Sequence, residues 1–215
     1  MTATIEFSGE AIRAMETRRR AAFINCLSGF KAANLVGTAD AEGHTNLAIM
    51  SSAVHLGSDP PLLALVIRPG GEERHTLSNI LGTGCYSLNH IHSALVEAAH
   101  QTAARYDRAL SEFDATGLTP RWHPGFAAPL VQEASISLGL ELREHQQLAI
   151  NRTHLVIGEI VLARLPADAL FDDGAVDLAA AGTVAISGLD HYYAPVSLQR
   201  MAYAKPHLPP RRLNC

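Results

Sequence analysis

The stretch NLAIMSSAVHLGSDPPLLALVI, residues 46–67, decides the predicted fold of this chain. Residues 46–56 are rich in β-branched and other apolar side chains and predict one strand. LLALVIRP, residues 62–69, is an apolar run typical of a strand buried on both faces. SDPP, residues 58–61, separates the two segments, because proline has no N–H group to donate to a β-ladder. The stretch therefore predicts two strands joined by a tight turn.

Four further segments predict strands around this stretch. Upstream, NLVGTAD, residues 34–40, is followed by AEGHT, so we expect a hairpin with a glycine-containing turn to open the fold. Downstream, residues 85–91, 134–148 and 152–165 have the alternation or apolar runs of strands. These six strands mostly follow one another through turns. That order favours a mainly β fold with inserted helices, an antiparallel barrel, over a doubly wound sheet.

Helices are predicted before and between the strands. Residues 9–24 have apolar residues at helical spacing after a possible N-cap at Ser8, so they predict one amphipathic helix. RHTLSNIL predicts a short helix with Thr76 as a plausible N-cap, which ends at the GTG of residues 82–84. Residues 93–109 are alanine-rich and compatible with a helix, and SEFDATGLTP, residues 111–120, predicts a short acidic turn. We expect a helical extension over residues 1–28, a barrel domain over 29–206 and a tail over 207–215.

Composition and charge exclude several functional classes. Hydrophobic residues make up 47% of the 215 and charged residues 18%, which is typical of a globular chain. The net charge is −4 and no basic cluster is interleaved with aromatic residues, so we expect no nucleic-acid partner. No apolar stretch reaches the length of a membrane span, and the N-terminus lacks a signal-peptide pattern. We therefore expect a cytoplasmic protein without a membrane partner.

Several familiar site motifs are absent from the sequence. It contains neither GxGxxG nor GxxxxGK[ST], so the usual dinucleotide and nucleotide cradles are missing. It contains no GxSxG, which argues against a serine hydrolase. His90 and His92 share one face of a predicted strand, but no third ligand stands at a secure spacing, so we expect no metal site. The three cysteines are odd in number and far apart, which predicts free thiols.

The order of several motifs resembles the flavin reductase-like family. The serine-bearing strand and SDPPL turn are followed by HTLSNI at residues 75–80 and YSLNHI at residues 86–91. SEFDATGLTP, RTHLVIGEIV, SGLDHYYAP and MAYAKP complete the pattern, which spans residues 29–206. The resemblance implies an antiparallel split β-barrel of the FMN-binding type. It also implies a homodimer with FMN in a groove near the subunit interface.

The resemblance implies two sets of contacts with the phosphate and ribityl chain. Ser51 and Ser52 offer hydroxyls and backbone amides, unless they are ordinary strand serines. Arg74, Thr76 and Asn79 surround the start of the short helix, where free amides and a guanidinium would bind an anion. For Thr76 the alternative is a plain N-cap, and the two roles are compatible.

The remaining implied residues concern the ring system and the hydride donor. Val54 and His55 are placed to touch the isoalloxazine. The amide of Asn89 is placed to read the pyrimidine edge, with a buried amide that binds backbone groups as the alternative. His191 and Tyr192 belong to a cluster expected to cover the flavin or the dimer groove, or to pack as an interface loop. His154 is the candidate catalytic residue, because the matching family histidine borders the groove where nicotinamide would stack; otherwise it is a packed or surface histidine.

Two functions follow from the resemblance and stay open at this point. The first is an NAD(P)H-dependent flavin reductase, which would take hydride from NADH or NADPH and pass reduced flavin to a monooxygenase or another acceptor protein. The second is an FMN-binding electron carrier similar to flavoredoxin, without an NAD(P)H site of its own. Hydride transfer between two π systems needs stacking and no acid or base in its first step. The absence of a catalytic triad therefore excludes neither function.

Overall fold

The computed structural model describes residues 3–70 and 75–213 of the chain. Its helices are α1 Gly9–Ala14, α2 Thr17–Leu27, α3 His75–Thr83, α4 Val96–Gln101 and α5 Glu112–Thr116, with 3₁₀ turns at Ser93–Leu95 and Ala167–Ala169. Its strands are β1 Lys31–Ala32, β2 Asn34–Ala39, β3 Thr45–Met50, β4 Ala53–Ser58, β5 Pro61–Ile67, β6 Cys85–His90, β7 Pro120–Arg121, β8 Leu130–Val131, β9 Ser137–Gln147, β10 His154–Arg164, β11 Ala185–Ser187, β12 His191–Tyr193, β13 Arg200–Met201 and β14 Arg212–Leu213.

Seven of these strands form one antiparallel sheet in the order β3-β2-β6-β9-β10-β5-β4. Strands β3 and β4 are the two edges of this sheet, yet only Ser51 and Ser52 separate them in the chain. An extended chain advances at most about 3.6 Å per residue, so the two edges meet within about 11 Å at this link. The sheet therefore curls into a barrel, and in the described part of the chain no ladder joins β3 to β4. The predicted antiparallel split barrel is confirmed.

The link between β3 and β4 corrects one prediction. Residues 46–56 were expected to form a single strand, which gave six strands in total. The structure divides them at Ser51 and Ser52, because the first part pairs with β2 and the second part pairs with β5. The main sheet consequently has seven strands. The expected β2–β3 hairpin and the turn at Asp59 and Pro60 are both present, the latter with a cis peptide bond.

The core divides into a layer inside the barrel and a layer outside it. Strand β2 shows why: its six residues are all buried, since neighbours on the strand point to opposite faces and both faces are covered. Val36 points into the barrel, where it packs with Leu65, Ile67, Ile80, Tyr86, Leu88, Leu140 and Val156. Leu35 packs in the outer layer with residues of α4, α5 and β11, among them Ala99, Phe113 and Ile186. Helices α4 and α5 thus cover the barrel from outside, whereas α3 contributes Ile80 to the inner layer.

The helices agree with the sequence in part. Ser8 caps α1, because its Oγ accepts from the Ala11 N–H at 3.1 Å, as predicted. The single helix expected over residues 9–24 is two helices, since Met15 and Glu16 are extended; neither helix buries a residue. The helix expected over residues 93–109 ends at Gln101. There the Thr102 hydroxyl donates to the Ala99 carbonyl and accepts from the Ile49 N–H, which fixes the chain against β3.

Helix length bears on membrane insertion. Over residues 3–70 and 75–213, every helix is too short or too polar to cross a lipid bilayer.

Candidate functional site

The β3–β4 link carries the first two predicted flavin contacts, Ser51 and Ser52. The Val66 N–H donates to the Ser52 carbonyl at 3.2 Å, which extends the β4–β5 pairing by one residue. The Ser52 hydroxyl donates to the Val66 carbonyl at 2.6 Å. This hydrogen bond occupies the hydroxyl proton, so Ser52 Oγ could only accept a hydrogen bond from a ligand. Ser51 is half-buried beside it. A phosphate at this link would have to be met by backbone amides or by Ser51.

His154 lies on the same side of the barrel as the serine link. It is the first residue of β10 and pairs with Ile67 of β5, while Leu155 pairs with Val66. Since Val66 is also hydrogen-bonded to Ser52, two strand spacings separate Ser52 from β10, which is about 10 Å. The structure therefore brings the serine link, the end of β5 and His154 to one rim of the barrel. We call these residues, Ser51, Ser52, Ile67 and His154, the serine–histidine rim.

Thr76 and Asn79 lie on α3, and both side chains are buried against the barrel. Thr76 lies within the helix, so its prediction as an N-cap is wrong. Its Oγ1 accepts from Asn46 Nδ2 at 2.9 Å, and Asn79 Nδ2 donates to Thr38 Oγ1 at 3.2 Å. The two side chains thereby attach α3 to β2 and β3. Asn79 Oδ1 is buried without a partner, and the Thr76 hydroxyl keeps its own proton.

These contacts predict a stability effect at Thr76. Thr76→Val removes the closer of the two acceptors of the buried Asn46 amide, so we expect the free energy of unfolding to fall by about 1–3 kcal/mol in urea denaturation without flavin. Thr76→Ser keeps the hydroxyl and should lose much less. Equal stability of the valine variant and the parent protein would show that Asn46 does not depend on this hydroxyl.

Two predicted contacts with the cofactor remain, Arg74 and Asn89. Arg74 lies outside the described residues. Asn89 is fully buried on β6. Its Nδ2 donates to the Leu35 carbonyl at 3.0 Å and to Ser87 Oγ at 2.9 Å, and its Oδ1 accepts from the Val131 N–H at 2.9 Å. The amide joins β2, β6 and β8, which supports the buried-amide alternative and leaves it no group for a pyrimidine edge.

Val54 and His55 line a cleft of about 140 Å³ at the open side of the barrel. The cleft wall is mostly apolar, with polar groups from Asn34, His55 and His90. The lining residues are Ala32, Asn34, Ala53, Val54, His55, Leu63, Leu88, His90 and Leu138. Asn34 is only 2% exposed, and its Oδ1 has no hydrogen-bond partner. Burial lowers the pKa of His90, so this imidazole is neutral at pH 7.

Sequence reasoning missed Asn34 and His90 as cleft residues. His90 was considered only as a metal ligand, because its position two residues before His92 suggested a pair. In the structure its Nδ1 lies 3.2 Å from Thr183 Oγ1, whereas His92 Nε2 faces the Glu133 carbonyl. Asn34 is the first residue of β2, and no sequence motif marked it as a binding residue. Only the curvature of the sheet brings these two residues beside Val54, and no sequence pattern encodes that curvature directly.

His191 and Tyr192 belong to a hairpin and not to an irregular loop. Strand β12 pairs with β11, which also pairs with β1. The Tyr192 hydroxyl lies 2.9 Å from His100 Nδ1, and its ring packs against the outer core layer. His191 is exposed, and its Nδ1 lies 2.7 Å from the Tyr193 hydroxyl. Neither residue lines the cleft, so a covering role would require contacts beyond one chain.

The β2–β3 turn gathers Asp40, Glu42 and His44, whose potential ligand atoms lie within 4.8 Å of one another. Hydrogen bonds explain this cluster without an ion. Asp40 Oδ1 accepts from the backbone N–H groups of Glu42 and His44 at 3.1 and 2.9 Å. Its Oδ2 faces His44 Nδ1 at 3.1 Å and Arg108 at 3.3 Å. The carboxylate therefore organises the turn and fixes Arg108 to it.

The turn predicts acid-dependent stability. Burial raises the pKa of Asp40, but the hydrogen bonds from His44 and Arg108 outweigh it and lower that pKa to about 2. A lowered carboxyl pKa stabilises the fold above its unfolded value of 3.8, and the contribution is lost as the pH falls towards 2. We expect Asp40→Asn to reduce the pH dependence of urea unfolding in this window. The exposed Asp172→Asn should keep the parent profile; identical profiles for all three proteins would contradict the assignment.

Fold and cleft together define a split-barrel protein with an apolar slot beside the line where the barrel is open. Comparison with known proteins agrees. The sequence model of the flavin reductase like domain matches residues 27–179. The chain therefore belongs to the flavin reductase-like family.

Solved structures extend the comparison. A proposed flavin reductase with a split-barrel domain from Shewanella frigidimarina NCIMB 400 superposes with a TM-score of 0.90 at 54% identity, covering 94% of this chain and all of that one. Nitrilotriacetate monooxygenase component B from Bacillus cereus superposes with a TM-score of 0.79 at 20% identity, covering 92% of this chain and 98% of that one. Flavoredoxin of Desulfovibrio vulgaris (Miyazaki F) superposes with a TM-score of 0.69 at 24% identity, covering 83% of this chain and 92% of that one. The last two show the shared fold.

The residues present fit a flavin. The cleft offers an apolar wall for a planar ring, and the unpartnered Asn34 Oδ1 offers an acceptor of the kind that the imide N–H of a flavin requires. The fit therefore covers part of the ring system.

Proposed function

We propose that this chain is an FMN-binding oxidoreductase that transfers hydride from NADH or NADPH to flavin as a homodimer. The observation that carries the proposal is the apolar cleft at the open side of the barrel, which the predicted ring contacts Val54 and His55 line. Membership of the flavin reductase-like family supports it. FMN, when bound, supplies a ring that accepts hydride and releases electrons.

The chain's own residues would bind and orient the reactants. Val54 and the neighbouring apolar residues exclude water from one face of the ring, and Asn34 offers an acceptor to its polar edge. The β3–β4 link at Ser51 and Ser52, with Arg74 and the start of α3, would hold the ribityl chain and phosphate. His154 on the rim would contact the nicotinamide. Transfer between two stacked rings requires position above all, and this set of residues supplies no strong acid or base to the first step.

Two observations support the homodimer. Val54 and Leu56 on β4 and Val161 on β10 are 56%, 50% and 46% exposed, which is unusual for large apolar side chains on adjacent regions of one sheet. The cleft of about 140 Å³ is close to the 150 Å³ of a cavity that holds one benzene ring, so it is too small for a whole isoalloxazine. A second copy would complete the slot and cover the apolar strands.

A steady-state assay tests the proposal. Oxidation of NADH and NADPH is followed with and without added FMN, and the oligomeric state is measured in the same buffer. Turnover that requires FMN is expected. Bound FMN without any nicotinamide oxidation would instead indicate an electron carrier reduced by another protein. If the chain reduces flavin, a monooxygenase or another acceptor protein is the partner that consumes the reduced flavin. Component B of the Bacillus cereus nitrilotriacetate monooxygenase shares the fold, which makes an oxygenase the first partner to try.

A further inference from the structure

Three side chains at the exposed end of the β9–β10 hairpin form a continuous hydrogen-bonded group. His145 Nε2 lies 2.8 Å from His154 Nδ1, and Gln147 Nε2 lies 3.3 Å from His154 Nε2. The two imidazole planes are inclined by 13° and their centroids are 5.1 Å apart. The centroid separation equals the N···N distance plus the centroid-to-nitrogen distance of each ring. This is the largest separation that the N···N distance allows, so the rings lie edge to edge. A single linear N–H···N bond therefore joins the two histidines.

The direction of each hydrogen bond follows from Gln147. Its Nε2 also lies 3.2 Å from the Arg152 carbonyl, which can only accept, so this atom is the amide nitrogen. An amide nitrogen only donates, and His154 Nε2 must therefore accept. A neutral imidazole that accepts at Nε2 carries its proton on Nδ1. His154 consequently donates from Nδ1 to His145 Nε2, and His145 carries its own proton on Nδ1.

We propose that His145 and Gln147 are positioning residues that hold His154 as a neutral imidazole with its proton on Nδ1 and an acceptor at Nε2. The inference rests on the proposed function, because it concerns the residue assigned to the nicotinamide. An acceptor at Nε2 recognises an N–H donor such as the carboxamide of a nicotinamide, which would take the place of the Gln147 amide. A histidine with the opposite tautomer would present a donor and could bind only the carbonyl oxygen of that group, which turns the carboxamide around.

The surroundings favour the neutral form of His154. Partial burial lowers its pKa, and the positive charges that His145 and Arg152 can carry lower it further. Opposite it on β5 stands the apolar Ile67. In the described part of the chain, no carboxylate bonds to His154 to favour an imidazolium. The charge environment and the hydrogen-bond directions thus agree.

Nitrogen-15 NMR of the histidine side chains in the full-length protein tests the proposal. We expect the His154 signals to show a protonated Nδ1 and an unprotonated Nε2 near pH 7. The double change His145→Leu, Gln147→Leu removes both the acceptor of the Nδ1 proton and the donor to Nε2, and should shift His154 towards the Nε2–H tautomer. His145→Gln can still accept through Oε1 and should restore the parent pattern. A protonated Nε2 in the parent protein, or an unchanged tautomer in the double variant, would overturn the proposal.

A kinetic readout links the tautomer to the proposed function. The double variant His145→Leu, Gln147→Leu should raise the KM for the nicotinamide about fivefold, the equivalent of one ordinary hydrogen bond, with little change in kcat. His145→Gln should recover most of the affinity, and His207→Leu in the exposed C-terminal segment should match the parent protein. If the parent protein oxidises no nicotinamide, the proposed function fails, while the NMR result still decides whether His145 and Gln147 position His154.

Discussion

Gly158→Ala is expected to lower the free energy of unfolding by about 1–3 kcal/mol, the usual effect of overpacking a core. A Cβ at this position on β10 would stand 2.8 Å from Cζ and 2.9 Å from Cε1 of Tyr86, and closer still to the Tyr86 hydroxyl. Tyr86 is fully buried inside the barrel, so its ring cannot move without displacing packed neighbours. Urea denaturation measures the effect.

Two companion variants isolate the cause. Gly82→Ala places the same methyl group on α3, where nothing lies within 4 Å, and should stabilise the protein by up to about 1 kcal/mol through helix propensity. Tyr86→Phe removes a buried hydroxyl that has no hydrogen-bond partner, so it should be neutral or stabilising. It should also relieve part of the Gly158→Ala loss. A Gly158→Ala protein as stable as its parent would mean that the barrel interior is looser than the structure shows.

Val54→Asp is expected to weaken FMN binding at least tenfold, about 1.4 kcal/mol. The change puts a carboxylate into the mostly apolar wall of the cleft, where it would be desolvated by a ring and would repel an anionic phosphate ester. The side chain is half-exposed in one chain, so its replacement should leave the fold of the subunit intact. Quenching of flavin fluorescence on titration with protein measures the affinity.

The same substitution elsewhere is the control for Val54. Val196 is 82% exposed and is not among the residues that line this cleft, so Val196→Asp should bind FMN as the parent does. Circular dichroism and thermal unfolding of both variants establish that each is folded. Parental affinity in a folded Val54→Asp protein would remove the cleft from the flavin site.

Much of the barrel could be predicted because its strands are local patterns. The apolar run of β5, the alternation of β9 and the glycine turn before β3 each show in a few consecutive residues. The division at Ser51 and Ser52 does not show in the sequence. Residues 46–56 all read as one strand, and the break depends on which partner strand lies beside each half. The end of α4 at Gln101 likewise depends on a contact between Thr102 and Ile49, more than fifty positions away in the sequence.

The site was harder to predict than the fold, for a similar reason. The family resemblance assigned Val54 and His55 to contacts with the flavin ring, and in the structure both line the cleft. It also suggested Thr76, Asn79 and Asn89, whose polar groups the structure shows bonded to buried neighbours. A sequence motif identifies a polar residue but not the direction in which its hydrogen bonds point. Asn34, His90 and the His145–His154 pair became visible only when the strands were paired.

The central claim, a flavin site that accepts hydride from a nicotinamide, is tested most directly by an absorbance spectrum. FMN is added to the purified protein, unbound flavin is removed, and NADH or NADPH is then added under nitrogen. The account predicts a retained flavin spectrum whose visible bands bleach on addition of the reduced nicotinamide. Retained flavin that stays oxidised with both nucleotides would contradict it.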